Sequence, residues 1–426
     1  MLKILHFSDA HIDMANHGKR DQASGLPIRV LDFLSALDKI INYAIENQVD
    51  LVLFTGDTYR DRTPAPTFQR EWGKRIKRLS EAKIPTILLV GNHDTSPAFG
   101  RAHALQEFET LAIPYVHVIS KPVFFTPPDL NDIPVQIIGL PWISRSSFIS
   151  NAEKETTDLE SIYGDMELRY LNFIENCLDE SNPDLPILFT AHATIQGADY
   201  GGERFVMLGK DQVISGSLVR NPNFDYVALG HIHKPQNLNE NAHPPVIYPG
   251  SIERVDFGEI NDEKFFVVAS VEKGKTQIEW VPLNGRRFLD HTIDLRNINK
   301  HGFSNESIPT PQQIRTYFEE YLPETDEIAD TIARLQLKYP RDWEVLIEDH
   351  WIRERYQSAL EFQFIRKPIV EARLRLPDDQ EISSIPPEQL LKIYLENQSY
   401  ESEEIEILQA LAKEIIQHHD KMEVTE

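Results

Sequence analysis

A layered α/β fold with a second sheet packed on the first is the class this sequence predicts. Three observations point to it. Over residues 1–200, short runs rich in Val, Ile, Leu and Phe alternate with helical patterns. Those runs are apolar throughout, as strands covered on both faces must be. Past residue 220 the chain changes to strand signals separated by Gly, Pro or Asn, and helical patterning becomes scarce.

The elements follow in order. KILHF, DLVLFT, PTILLV and PILFTA read as buried strands. Between the first two, Leu34, Leu37, Ile41 and Ala44 fall at helical spacing within Val30–Asn47. Ala65–Ala82 and Asp158–Asp179 read as further helices. FDYVAL, PPVIYPG, KFFVVASVE and TQIEWVPL form the later strands, assigned to the second sheet, and close a domain spanning 1–283. Residues 284–376 predict a small α+β module. In it the polar connector HGFSNESIPTP precedes two strand patterns, DTIARLQLKYP and ALEFQFIRKPIVEARLRL, which flank a helix from Asp342 to about Ser358. Residues 377–426 comprise a polar linker and two short amphipathic helices. One starts at Pro386 or Pro387 and ends near Gln398; the other runs from Ser402 to His419. So small a pair cannot build its own core. Its apolar stripes, Leu390, Leu391, Tyr394 and Leu395, then Leu408, Leu411, Ala412, Ile415 and Ile416, need another surface.

Composition narrows the function classes. The net charge is −24, and residues 378–426 hold 13 acidic against 3 basic residues. This argues against an extended basic face that grips nucleic acid unaided. It leaves room for a nuclease whose positive charge comes from metal ions or a partner. The single cysteine, Cys177, permits no intrachain disulfide and reads as a core residue of a helix. No apolar stretch approaches the ~20 residues of a membrane helix. MLKILHF enters a strand without a signal-peptide core, so a cytoplasmic location is expected.

The chemistry sits where apolar runs end. Asp9 and His11 close FSDAH, Asp57 closes FTGD, and Asn92 and His93 follow in VGNHD. His192 ends FTAH, and His231 and His233 end LGHIH. Each taken alone carries little weight: D-x-H pairs are common, and a single histidine is more often structural. Eight suitable residues at five strand ends are another matter, because open α/β sheets place their ligands beyond the carboxyl ends of strands. Carboxylates, imidazoles and an amide oxygen are what two adjacent divalent cations require, and such a pair hydrolyses phosphoesters. Asp57, delivered by the tight turn at Gly56, is the candidate to bridge two cations. His93 is placed to reach the phosphate, as a charge stabiliser or proton donor. Asp94 could cap a helix beginning near Pro97. His231 and His233, two apart in an extended segment, would point to one side. His6, His103, His117 and His350 lack this context and read as structural or surface groups. His17, in a polar loop, is a weaker candidate for substrate contact.

FSDAH, GD, GNHD, AH and GHIH, in this order over residues 1–283, resemble the calcineurin-like metallophosphoesterases. That resemblance implies a four-layer αββα sandwich. A narrower one is carried by TYRDRTPAPTFQREW and by IYPGSIERVDFGEINDEKFFVVASVEKG, which are similar to the SbcD-type DNA repair nuclease subunits. It implies that Asp9, His11, Asp57 and His233 hold one metal, and that Asp57, Asn92, His192 and His231 hold the other. It implies His93 as the catalytic histidine and Mn2+ as the usual ion, with Mg2+ as a substitute. It implies 3′→5′ exonuclease action on duplex ends and endonuclease action on single strands or hairpins. Residues 284–376 would be a capping domain. The terminal helices would dock on an SbcC-like ABC-type coiled-coil ATPase, with a homodimer at the centre of a heterotetramer. Some relatives carry a histidine three residues after the bridging aspartate; here that position is Arg60, whose role the resemblance leaves open. The residues alone support phosphoester hydrolysis, which a phosphatase or a cyclic-nucleotide phosphodiesterase would also perform.

Overall fold

The structure, a computed structural model, describes residues 1–16, 19–96, 101–142, 159–201, 213–301, 308–369, 386–397 and 404–413. The chain divides into two compact units. The first comprises Met1–Asp290, Pro323–Arg334 and Arg353–Gln363; the second comprises His291–Leu322, Leu335–Ile352 and Phe364–Glu426.

In chain order the strands of the first unit begin with β1 (Leu2–Phe7), β2 (Leu51–Phe54), β3 (Thr86–Leu89), β4 (Val116–Ile119), β5 (Val123–Phe125), β6 (Gln136–Leu140) and β7 (Ile187–His192). They continue with β8 (Thr194–Ile195), β9 (Val213–Ile214), β10 (Tyr226–Gly230), β11 (Gln236–Asn237), β12 (Val246–Tyr248), β13 (Phe265–Glu272) and β14 (Lys275–Pro282). One six-stranded sheet has the order β14-β13-β1-β2-β3-β4, the other β11-β12-β10-β7-β6-β5. The helices α1 (Ile28–Glu46), α2 (Pro66–Glu81), α3 (Gln106–Leu111) and α4 (Leu159–Glu180) complete the layers.

The two-residue period of a strand sorts each side chain into one of two cores. Leu5, Phe7, Val52, Phe54 and Leu88 face outward and pack with Phe33, Leu37, Ile41, Trp72 and Ile76 of α1 and α2. Their neighbours Ile4, Leu51, Leu53, Ile87 and Leu89 face inward, against Ile137, Leu188, Tyr226 and Ala228 of the other sheet. On that sheet Phe189, Ala191, Val227 and Leu229 face outward and join Met166, Tyr170, Ile174 and Cys177 of α4. The result is an αββα sandwich, and it explains why the strands read as continuous apolar runs: both faces are covered. Cys177 is buried, and burial pushes its thiol up to about 11. Among the described residues, no helix is long and apolar enough to cross a membrane.

The distribution of strands differs from the sequence expectation. Both sheets are present, but PILFTA (β7) belongs to the second one, parallel to β10 and β6. KFFVVASVE and TQIEWVPL (β13 and β14) join the first sheet, antiparallel, with β13 beside β1. The cause is a tight hairpin at Lys273–Gly274, where Gly274 has φ +75°. It keeps β13 and β14 together, so once the apolar β13 pairs with β1, the half-exposed β14 becomes the edge. β4, β5 and β6 escaped prediction. They are three to five residues long, and QIIGL lies between Pro134 and Pro141.

Beyond residue 284 three strands, Phe288–Asp294, Ile332–Pro340 and Glu361–Ile369, pair in that order. The second unit contains an unpredicted helix, Pro311–Tyr321, started by a capping box. Thr310 Oγ1 accepts from the Gln313 N–H at 3.3 Å, and Gln313 Oε1 accepts from the Thr310 N–H at 2.8 Å. The helix expected from Asp342 to Ser358 is instead a 3-10 segment, Arg341–Leu346, followed by a separate helix, Asp349–Arg355. Two terminal helices appear as Pro387–Asn397 and 404–413. In them Leu395 and Ile405 are buried, whereas Ile407 and Leu411 are 69% and 55% exposed. Residues 370–376 of the last predicted strand, and 414–419 of the last helix, lie outside the described residues.

Candidate metal centre

β1, β2 and β3 are parallel, so their carboxyl ends emerge together; β7 and β10 are parallel in the facing sheet. Every expected ligand leaves one of these ends. The exits are abrupt. Asp9 (φ 50°), His11 (φ 37°), Asp57 (φ 61°) and His231 (φ 100°) all occupy left-handed backbone that non-glycine residues avoid. Such strain persists where the surroundings over-determine it, and it concentrates at functional sites. It also corrects one expectation. His231 and His233 do not alternate along an extended strand, because β10 ends at Gly230 and the chain turns at His231.

Glycines make the packing possible. A Cβ at Gly91 would overlap the Asp57 carboxylate and backbone, and one at Gly56 would overlap the His192 ring. A Cβ at Gly230 would meet the Thr55 carbonyl and the Ser8 hydroxyl.

Two buried groups of ligand-type atoms result: Asp9, His11 and His233 in one, Asp57, His192 and His231 in the other, with atoms inside each group within 4.8 Å of one another. Asp57 faces both. Its Oδ2 lies 3.4 Å from His192 Nε2 and 4.0 Å from His11 Nε2, while its Oδ1 accepts the His93 N–H at 2.8 Å. Asn92 joins the second group, its Oδ1 standing 2.9 Å from His192 Nε2 and 3.0 Å from His231 Nδ1. His11 and His233 approach through their Nε2 atoms at 3.2 Å.

Hydrogen bonds behind the rings decide which nitrogen looks inward. His192 Nδ1 donates to the Thr55 carbonyl at 2.7 Å. His233 Nδ1 donates to Glu259 Oε1 at 2.7 Å. Both therefore turn Nε2 toward the centre, the orientation a metal ligand needs. Among the described residues, Asp9 Oδ1 and His11 Nδ1 are buried without a hydrogen-bond partner. Carboxylate, amide and imidazole lone pairs converging on one another, with Asp9 Oδ1 unsatisfied, fit two divalent cations.

The electrostatics agree. Burial alone would raise Asp57, but His192 and His93 hold it well below the carboxylate range. Burial, with the neighbouring His233, lowers His11 well below the ordinary imidazole value, so it stays neutral. Burial would lower His192 too, yet the Asp57 carboxylate raises it to about 9. A proton and a metal cation thus compete for the same negative pocket. Glu259, which burial would raise, is held far down by Lys264 at 2.7 Å and by His233. Its second oxygen also accepts from Ser251 Oγ and from the Val255 N–H, at 3.2 and 3.0 Å.

His93 lies beside both groups. Its ring centroid is 5.3 Å from that of His11, and its Nδ1 donates to the Arg60 carbonyl at 2.8 Å, which leaves Nε2 as the titrating atom. Burial lowers its basicity, opposed by Asp57.

Several contributors were missed by sequence reasoning. The helix that Asp94 was expected to cap, near Pro97, would begin outside the described residues, but Asp94 has another role. Its buried carboxylate accepts the backbone N–H groups of Gly91, Asp57 and Thr58, each at 2.9 Å, and so ties the β2 and β3 exits together. Trp142, after the unpredicted β6, packs on His231 and His192 with ring centroids 5.2 and 6.3 Å apart. Glu259 lies in a stretch where nothing marks one acid among many. Of the histidines set aside, His6 is buried between the sheets, while His17 lies outside the described residues.

Residues 2–235 match the calcineurin-like phosphoesterase family. Over 347 residues the chain is 24% identical to the SbcD subunit of the SbcCD nuclease of Staphylococcus epidermidis, covering 80% of this chain and 83% of that one. The corresponding SbcD subunit of Staphylococcus saprophyticus is 26% identical over 298 residues, 68% of this chain and 71% of its own. The uncharacterized metallophosphoesterase YhaO of Bacillus subtilis is 26% identical over 271 residues, 63% of this chain and 57% of its own.

Proposed function

Since this chain belongs to the calcineurin-like phosphoesterase family, we propose that it is the metal-dependent nuclease subunit of an SbcC–SbcD-type DNA repair complex, an exonuclease on duplex ends and an endonuclease on single strands or hairpins. The supporting observation is a similarity to SbcD subunits that runs over 80% of the chain, past the phosphoesterase residues and into the downstream module.

Asp9, His11, Asp57 and His233 are assigned to one cation, and Asp57, Asn92, His192 and His231 to the other. Two divalent cations, Mn2+ by preference and Mg2+ as substitute, would supply Lewis-acid activation of a phosphodiester and acidify an attacking water. The chain contributes geometry. Asp57 presents one oxygen between the two groups because its other oxygen is fixed by the His93 N–H. His192 and His233 offer Nε2 because Thr55 and Glu259 hold their Nδ1 protons. His93 acts at Nε2, donating a proton to the departing sugar oxygen or a hydrogen bond to the phosphate. The Arg60 carbonyl fixes its ring for that task. Trp142 walls the His231 side. Residues 284–376 serve as a capping domain over DNA. The helices in 377–426 dock on the coiled coil of an ABC-type ATPase, within a heterotetramer built on a homodimer.

The test is direct. Full-length protein with Mn2+ should degrade end-labelled duplex and hairpin DNA and split bis(4-nitrophenyl) phosphate. His93→Ala should lower kcat by about 100-fold or more with Mn2+ uptake retained. Hydrolysis of the small diester with intact DNA, even after an SbcC-type ATPase is added, would overturn the nuclease assignment in favour of a phosphatase or another phosphodiesterase.

A further inference from the structure

The loop leaving β2 carries a cation that the fold presents rather than neutralises. Asp13 accepts the backbone N–H groups of Arg60 and Asp61 at 2.5 and 2.9 Å. On the other side, the Arg60 carbonyl receives the His93 Nδ1 proton. Asp61 Oδ1 accepts from the N–H and hydroxyl of Thr63 at 3.0 and 3.1 Å, which stiffens the turn. The Arg60 backbone is clamped from both directions, one clamp being the imidazole at the metal centre.

Its side chain is treated differently. Arg60 is exposed, and among the described residues its guanidinium has no carboxylate or hydrogen-bond partner. Arginines on the following helix are paired: Arg70 with Glu71 at 2.9 Å, and Arg75 and Arg78 with Asp38 at 2.6 and 3.2 Å. In a chain of net charge −24, acids to pair with are abundant. The residue is close to the site, since its carbonyl holds the His93 ring at 2.8 Å.

We propose that Arg60 binds a phosphate flanking the scissile one and so selects oligonucleotides over isolated diesters. This deepens the nuclease reading and rests on it. A planar guanidinium matches two phosphate oxygens with parallel N–H bonds. The position favours the neighbouring phosphate because the ligand groups are buried while Arg60 is at the rim. A substrate with one phosphate leaves the rim cation idle; a nucleic acid strand occupies both positions.

Steady-state kinetics on the full chain with Mn2+ test this, using a labelled single-stranded oligonucleotide and bis(4-nitrophenyl) phosphate across a salt series. The backbone clamps survive any side-chain change, so Arg60→Ala should keep the wild-type melting temperature. Its KM for the oligonucleotide should rise about ten-fold with kcat within two-fold. Its loss in kcat/KM on the small diester should be several-fold smaller. The slope of log kcat/KM against log salt should become shallower by about 0.7, the value for one phosphate contact on a single strand. Arg60→Lys should restore the slope while recovering KM only in part, because an ammonium does not form the paired bonds. A KM and slope equal to wild type for Arg60→Ala overturn the proposal. So does an equal loss on both substrates, which would place Arg60 at the scissile phosphate or make it a support for His93. If wild type itself leaves the oligonucleotide intact while splitting the small diester, the nuclease reading falls and this proposal with it, a result visible without any variant.

Discussion

Glu259 shows how much of the centre depends on residues that would never touch a cation. It is buried, it holds His233 Nδ1 at 2.7 Å, and it is neutralised from behind by the buried Lys264. Partners of this kind fix the tautomer and direction of a ligand imidazole, and their loss typically costs about 10–100-fold in metal affinity. Glu259→Gln is therefore expected to weaken Mn2+ binding by that factor in calorimetric titration. Glu259→Gln and Glu259→Ala should both also destabilise the fold by about 3–5 kcal/mol, because a neutral glutamine or alanine alike leaves Lys264 as an uncompensated buried charge. Equal Mn2+ affinity in Glu259→Gln and wild type would remove Glu259 from the centre. His6 supplies a pH-dependent counterpart. It bridges the sheets, with Nδ1 2.9 Å from Tyr226 Oη and Nε2 3.1 Å from Thr55 Oγ1, and burial lowers it from 6.5 to about 3. The unfolded chain therefore binds the extra proton between pH 6.5 and 3, so stability rises with pH in that window and falls on acidification. The full effect is roughly 5 kcal/mol at most. Denaturant unfolding of His6→Gln should show a visibly flatter dependence on pH across that interval than wild type.

At the level of elements, the strand ends matter more than the strands. β1, β2 and β3 could tolerate many apolar sequences, but Gly91 stands where a Cβ would overlap the Asp57 carboxylate and backbone. Gly91→Ala must push Asp57 away from its position between the two ligand groups. The expected result is about 1–3 kcal/mol of lost stability, the usual cost of overpacking, together with Mn2+ uptake reduced more than the melting temperature would suggest. Preserved uptake would mean that the carboxylate has room to move. This is also where the sequence was informative and where it was silent. Long apolar runs with helical patterns between them revealed β1, β2, β3, β7, α1, α2 and α4, because burial on both faces leaves no polar position to confuse the period. The candidate ligand residues stood out for the same reason: each follows closely on such a run. β5 and β6 were not, being short and flanked by proline, and Trp142 was lost with them. Asp94 looked like a helix cap because two of its three N–H donors, Asp57 and Thr58, stand 37 and 36 residues away in sequence, a relation no local pattern records. The exchange of β7 for β13 and β14 was hidden likewise, since pairing partners are set by the Lys273–Gly274 hairpin and not by strand composition.

For the molecule as a whole, the acidic tail requires explanation. Residues 378–426 hold −10 of the −24 net charge, and they still carry apolar residues at helical spacing. In the helix at 404–413, Ile405 is buried while Ile407 and Leu411 remain 69% and 55% exposed; Tyr394 of the preceding helix is 37% exposed. Helices this short do not persist in water on intrinsic propensity alone, so an apolar face must be covered for them to contribute. A partner helix with basic residues around an apolar seam would satisfy both features: burial supplies the affinity, and charge complementarity speeds encounter and sets register. A chain ending at Leu376 should accordingly keep its Mn2+-dependent hydrolysis of bis(4-nitrophenyl) phosphate while losing association with an SbcC-type ATPase in analytical ultracentrifugation. The association of the full chain should weaken as salt is raised, because part of it is charge pairing at a solvated rim. Ile407→Glu together with Leu411→Glu in the full chain should reproduce the truncation, since both changes fall on exposed apolar positions and spare the phosphoesterase core. If the truncated chain still binds the ATPase with full affinity, the docking surface lies elsewhere. The two helices would then be assigned to packing within their own unit.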